Sequence, residues 1–181
     1  GDRGSATFVT PPMVENTEIC GPMALNLYAA TTDTEVLWFV SFFEIDAAGR
    51  ERVLTRGWLR GSQRRIDPAR SKPWQPYHPH DRREPLTPGE VCEFNIEIVP
   101  TGVLIRAGSR FGIRIKCADQ DERPRDFLDG HSLGHLWRET PARITLFHNN
   151  DCPSHLLVPI TRGNRLGTFM SGGVLKPASG H

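Results

Sequence analysis

Apolar and polar positions alternate with period two along most of this chain, and no extended helical periodicity competes with them. Between Val91 and Ile98 the apolar Phe94, Ile96 and Ile98 alternate with Glu93, Asn95 and Glu97, a half-buried strand that follows the turn signal Pro88-Gly89. A second such strand covers Arg110 to Lys116, where Phe111, Ile113 and Ile115 alternate with Arg110, Gly112 and Arg114 after the turn at Ala107-Gly108. One wet face on each of these neighbouring strands predicts that they pair with each other as an antiparallel hairpin. Upstream, Glu18 to Ala30 places Ile19, Met23, Leu25, Leu27 and Ala29 on one parity and Asn26 and Tyr28 on the other, a strand broken at Gly21-Pro22. Glu35 to Asp46 is apolar on both parities, with Trp38, Phe39, Phe42 and Phe43, which suits a central strand covered on both sides. Arg52 to Arg60 supplies a further strand around Val53, Leu54, Trp58 and Leu59. Arg143 to His148 and Ser154 to Ile160 supply two short ones, joined by a turn over Asn149 to Pro153.

Two stretches interrupt this pattern. Residues 61–90 carry Pro68, Pro73, Pro76, Pro79, Pro85 and Pro88 together with Arg64, Arg65, Arg70, Arg82 and Arg83, which excludes an ordinary strand or helix. A loop of that length in a compact domain is expected to pack on something, such as a neighbouring domain. Residues 119–140 form a second polar loop, in which Asp119, Asp121, Glu122, Asp126 and Asp129 stand beside Phe127, Leu133 and Trp137. About seven short strands separated by Gly/Pro turns predict an all-β sandwich or barrel. We expect one β-sandwich domain over residues 1–162 and a glycine-rich, flexible C-terminal tail over 163–181.

Length and charge narrow the classes. A chain of 181 residues buries a substantial single core, since ~150 residues already bury roughly two thirds of the unfolded surface. A net charge of +1 provides no overall field for nucleic acid or anionic lipid, so partners must be argued locally. No apolar run approaches the ~20 residues that span a bilayer, and the N-terminus lacks a signal-peptide pattern, so a soluble, cytoplasmic protein is expected, with no nucleic-acid or membrane partner. The opening residue is Gly1 instead of Met, as a fragment or processed piece of something longer would have. Cys20, Cys92, Cys117 and Cys152 form no CxxC pair, which excludes zinc-ribbon and thioredoxin-like motifs; Cys92 and Cys117, inside strands, are expected to be buried thiols.

No catalytic constellation stands out. A Gly-x-Ser-x-Gly elbow is missing, and Ser109, after Gly108, continues into an alternating strand and reads as a hairpin serine. His78, His80 and Asp81 could ligate a metal, but the intervening Pro79 suits an extended surface loop. His131 and His135 have helix-face spacing without the glutamate of a zinc protease, and Arg123 and Arg125 compete for the acidic cluster at 119–129. Neither a metal nor an organic cofactor is expected. Trp58, Trp74, Tyr77 and Trp137 sit in loops or at a strand end, where exposed aromatics anchor partners.

Thr10 to Ala30 resembles the opening of the C-terminal domain of the X-prolyl dipeptidyl-peptidase and cocaine esterase family. Glu44 to Arg50, Leu54 to Arg60, Pro85 to Thr101, Ala107 to Ile115 and Arg143 to Pro159 follow in the family's order, covering about residues 6–162. The resemblance implies a jelly-roll β-sandwich of galactose-binding-like topology, attached to an α/β-hydrolase domain that carries the Ser-His-Asp triad elsewhere. Such a domain is non-catalytic, stabilises the hydrolase, helps shape its substrate pocket and can contribute to dimer contacts. After the strand ending at Lys116 the chain departs from the family, with only Arg123 to Phe127 similar to its Phe-Pro-Arg-Phe-like segment. The residues expected at the hydrolase interface are Trp74, Tyr77, Arg123, Phe127 and Trp137, with the arginines of 61–90 pairing to acids on the partner. The rival readings are an independent carbohydrate-binding module, with Trp58 or Trp137 as a flat platform, and a small hydrolase with an unfamiliar site.

Overall fold

A computed structural model describes residues 4–117 and 142–161. Among the described residues nine strands lie in chain order: β1 (Ser5–Val9), β2 (Thr17–Thr31), β3 (Leu37–Ile45), β4 (Glu51–Arg60), β5 (Cys92–Ile105), β6 (Arg110–Lys116), β7 (Ile144–Phe147), β8 (His155–Leu157) and β9 (Ile160–Thr161). All pairings are antiparallel, in the order β1-β6-β3-β4-β5-β2-β7, with β8 and β9 also on β2. Among the described residues the one helical turn is a 3-10 turn at Gly61–Gln63.

The sheet curls on itself, and at the fold β4 and β5 pair at a single point, Gly57 with Ile98. A Cβ on Gly57 would come within 2.3 Å of the Glu97 carbonyl, so the two strands approach there only because the side chain is missing. On one side of that hinge, β1, β6, β3 and β4 turn Trp38, Val40, Phe42, Leu59, Phe111, Ile113 and Ile115 inward. On the other, β5 and β2 turn Phe94, Ile96, Ile98, Ile105, Ile19, Met23, Leu25, Leu27 and Ala29 inward, and both sets share one core. Trp38 stands edge-on to Phe94 with ring centroids 5.2 Å apart, and Phe42 meets Phe111 at 5.5 Å. The result is the expected β-sandwich.

The expected pairing of the two alternating strands does not occur. β5 lies between β2 and β4, whereas β6 lies between β1 and β3, so the turn at 106–109 carries the chain from one layer to the other. A wet face on each strand is equally satisfied by either neighbour, and the alternation therefore does not choose between them. The Gly21-Pro22 break persists as an irregularity inside the continuous β2, where pairing with β5 skips from Gly21 to Met23. β4 contains a bulge opposite Phe42 and Phe43, which explains its weak alternation. β1 escapes the sequence pattern because its five residues are half-buried or exposed and offer no alternation of burial. Cys92 and Cys117 are half-buried, not buried, since each sits at a strand end where the core runs out.

Candidate functional site

The connection between β4 and β5, residues 61–91, fills the gap where those strands diverge. It is ordered around a buried carboxylate, Glu35, which is 8% exposed. Its Oε1 accepts the backbone N–H of Ser62 at 2.8 Å, and its Oε2 accepts Arg60 Nε at 2.8 Å and Arg83 Nη2 at 3.1 Å. Burial alone pushes this carboxyl up, but hydrogen bonds from the Ser62 side chain, Arg60, the Ser62 N–H and Arg83 favour the charged form and hold it below its ordinary value. Leu86, 4% exposed, inserts into the sandwich core, while its N–H bonds the Thr34 carbonyl at 2.8 Å.

The remaining arginines are used within the loop. Arg64 donates to the carbonyls of Gly61 and Glu84, Arg65 pairs with Asp81, Arg82 bonds Glu84 at 2.9 Å, and Arg70 lies 3.5 Å over the Tyr77 ring. These arginines already have acids within this chain, because the loop carries its own carboxylates and a buried Glu35 demands cations. His78 bridges loop and sheet: Nδ1 lies 3.1 Å from the Arg65 carbonyl and Nε2 2.8 Å from that of Asn95 in β5. Neither nitrogen faces open space for a metal, and Asp81 is occupied by Arg65. Among the described residues no group of three or more His, Cys, Asp or Glu is placed to hold a metal ion.

Trp74 and Tyr77 diverge in placement. Lys72 and Gln75 exchange backbone hydrogen bonds at 3.0 and 2.9 Å, a tight turn that displays Pro73 and Trp74 at its tip, where Trp74 is 46% exposed. Tyr77 is half-buried, its N–H taken by the Ser71 hydroxyl at 2.9 Å and its carbonyl by the Asp67 N–H. Arg123, Phe127 and Trp137, His131 and His135, the acidic cluster at 119–129 and the tail at 163–181 lie outside the described residues. Ser109 is buried in the 106–109 turn, and among the described residues no histidine bonds it.

At the opposite end of the sandwich an open cavity of about 410 Å³ is lined by the β3–β4 and β5–β6 turns. Its acids are neutralised by ion pairs: Asp46 with Arg50 at 2.7 Å, Glu44 with Arg52 at 2.8 Å, and Glu51 with Arg114 at 2.7 Å. On the outer face of β2 and β5, Asn26 Nδ2 donates to Glu93 Oε1 at 2.6 Å and Asn95 Oδ1 at 2.8 Å, while the Tyr28 hydroxyl reaches Glu93 Oε2 at 3.3 Å. Sequence reasoning did not single out Glu35 or this polar ladder; the signal for Glu35 was a carboxylate opening a strongly apolar strand, which cannot be left unpaired.

Comparison with known proteins gives the arrangement its context. The X-Pro dipeptidyl-peptidase C-terminal non-catalytic domain matches residues 2–157. "Putative serine esterase Mb1866c" of Mycobacterium bovis and "Putative serine esterase MT1883" of Mycobacterium tuberculosis are each 29% identical over 122 residues, which is 65% of this chain and 19% of theirs. The chain thus spans about a fifth of the length of the curated relatives it matches. A CocE/NonD family hydrolase from Staphylococcus aureus superposes with a TM-score of 0.71 at 23% identity, over 86% of this chain and 30% of its own. An alpha-amino acid ester hydrolase superposes at 0.65 and 18% identity, over 89% of this chain and 26% of its own. At these identities the two structures speak for the fold.

Proposed function

This chain belongs to the family of X-Pro dipeptidyl-peptidase C-terminal non-catalytic domains, and on that premise we propose that it is the accessory β-sandwich of a longer serine α/β-hydrolase. In this reading it stabilises the catalytic domain and shapes its substrate pocket, and the bond broken is an ester or an X-Pro peptide bond. The observation that carries the proposal is the family match over residues 2–157, together with similar proteins of which the matched part is a minor share. The jelly roll is of galactose-binding-like topology, with Trp74 and Tyr77 of the loop turned to the hydrolase. Trp74 is well suited to this, being held out on a short turn braced by its own backbone. Four cysteines outside any disulfide fit a reducing, cytoplasmic setting.

The carbohydrate-binding alternative finds less support, because the exposed Trp58 does not line the end cavity, which ion pairs occupy. Deletion tests the proposal. A parent hydrolase truncated before Gly4 should melt lower and lose kcat/KM toward ester or X-Pro substrates, whereas unchanged melting and kinetics would overturn the accessory role.

A further inference from the structure

In the body of β4 stands a large aromatic that the sandwich core does not use: Trp58 is 52% exposed on the outer face of its layer. We infer that the catalytic domain docks on this face, over Trp58 and the half-buried Phe39 beside it. The inference rests on the accessory reading above. Strand register supplies the argument. Ser5 pairs with Lys116, Lys116 with Phe39, and Phe39 with Trp58, one row crossing β1, β6, β3 and β4. Three interstrand spacings put the first residue of β1 about 14 Å from Trp58.

The family is a C-terminal domain, so the catalytic part lies on its N-terminal side, and this chain makes up 19% of the esterases and 30% of the Staphylococcus aureus hydrolase it matches. A larger body joined on the N-terminal side of β1 starts beside this row and away from the far end with its ion-paired cavity. The row is also preorganised. Leu37 pairs with Arg60 next to it, Arg60 is fixed by Glu35, and Trp58 projects from β4 where it is paired along β3, so little order has to be created on docking. A tryptophan on a rigid sheet surface is the residue type that interface centres favour.

Hydroxyl-radical footprinting of the full-length hydrolase and of the 181-residue chain, each at low and high protein concentration, tests the inference on unmodified protein. Trp58 oxidation should be slowed by about tenfold in the full-length protein at both concentrations, as for a residue in a dry interface core. If Trp58 reacts equally fast in both proteins while Trp74 or another surface residue of this chain is protected, this face is wrong and the accessory reading stands. If no residue of the chain is protected, both fall. Protection that appears only at high concentration means that a second copy covers the face, which also overturns the inference.

Discussion

At one end of the sandwich the β3–β4 connection is residues 46–50; at the other the β4–β5 connection takes residues 61–91. The first end is made of backbone turns. Asp46 Oδ1 accepts the N–H groups of Ala48 and Arg50 at 2.9 Å each, Gly49 provides the positive φ of 81°, and the Gly108 N–H closes onto the Met13 carbonyl at 2.8 Å. The second end buries a carboxylate and a core leucine to keep a proline-rich loop in one shape. Ordering some thirty residues costs conformational entropy, offset here by the Glu35 network and the insertion of Leu86, and the exposed Trp74 and Trp58 both lie toward that end.

Removing what organises the second end should therefore disturb it while sparing the first. Leu86→Ala should lower unfolding free energy by about 3 kcal/mol, as for a core leucine, and raise hydrogen exchange across 61–90 with the 46–50 turn unchanged. Equal loosening at both ends would break the comparison. Glu35→Gln should cost about 2 kcal/mol at neutral pH, because Arg60 and Arg83 lose a buried charged acceptor. The pH dependence has a definite sign. The folded carboxyl titrates below its ordinary value of 4.5, so its contribution is complete at neutral pH and is lost as pH falls through the folded value. In denaturant titrations the gap between wild type and Glu35→Gln should narrow below pH 4.5; a constant gap would mean that the charge is not what stabilises the loop. At the plain end, Gly49→Ala should cost about 1 kcal/mol from the positive φ alone, since open space surrounds its Cβ position. Trp74→Ala should change the stability of this domain by less than about 0.5 kcal/mol while weakening its association with the hydrolase domain.

How far the sequence reached follows the same division. β2 to β6 were legible because Leu25, Leu27, Phe94, Ile96, Ile113 and Ile115 must all face one core, and period two states that directly. Partner choice was not legible: β5 and β6 each present one wet face, and nothing local says that β5 joins β2 while β6 joins β3. β1 was invisible because an edge strand with little burial carries no alternation. At the site, proline and arginine marked 61–90 as special, and Trp74 was found exposed there. That its cations also pair inside the chain was not legible, because Glu35, distant in sequence, gives no sign of lying beneath Arg83. His78 was weighed as a ligand, and its real contacts are two carbonyls that only the folded loop brings together.

The central claim is that this sandwich serves a serine hydrolase whose nucleophile lies in another part of the same polypeptide. Extract of the source organism should be treated with a tagged fluorophosphonate and immunoblotted with antibody to this chain, alongside the purified 181-residue protein. One band several times longer than 181 residues, carrying both antibody signal and tag, with the purified chain untagged, is the predicted result. A tagged 181-residue chain, or a native band of that length alone, would contradict it.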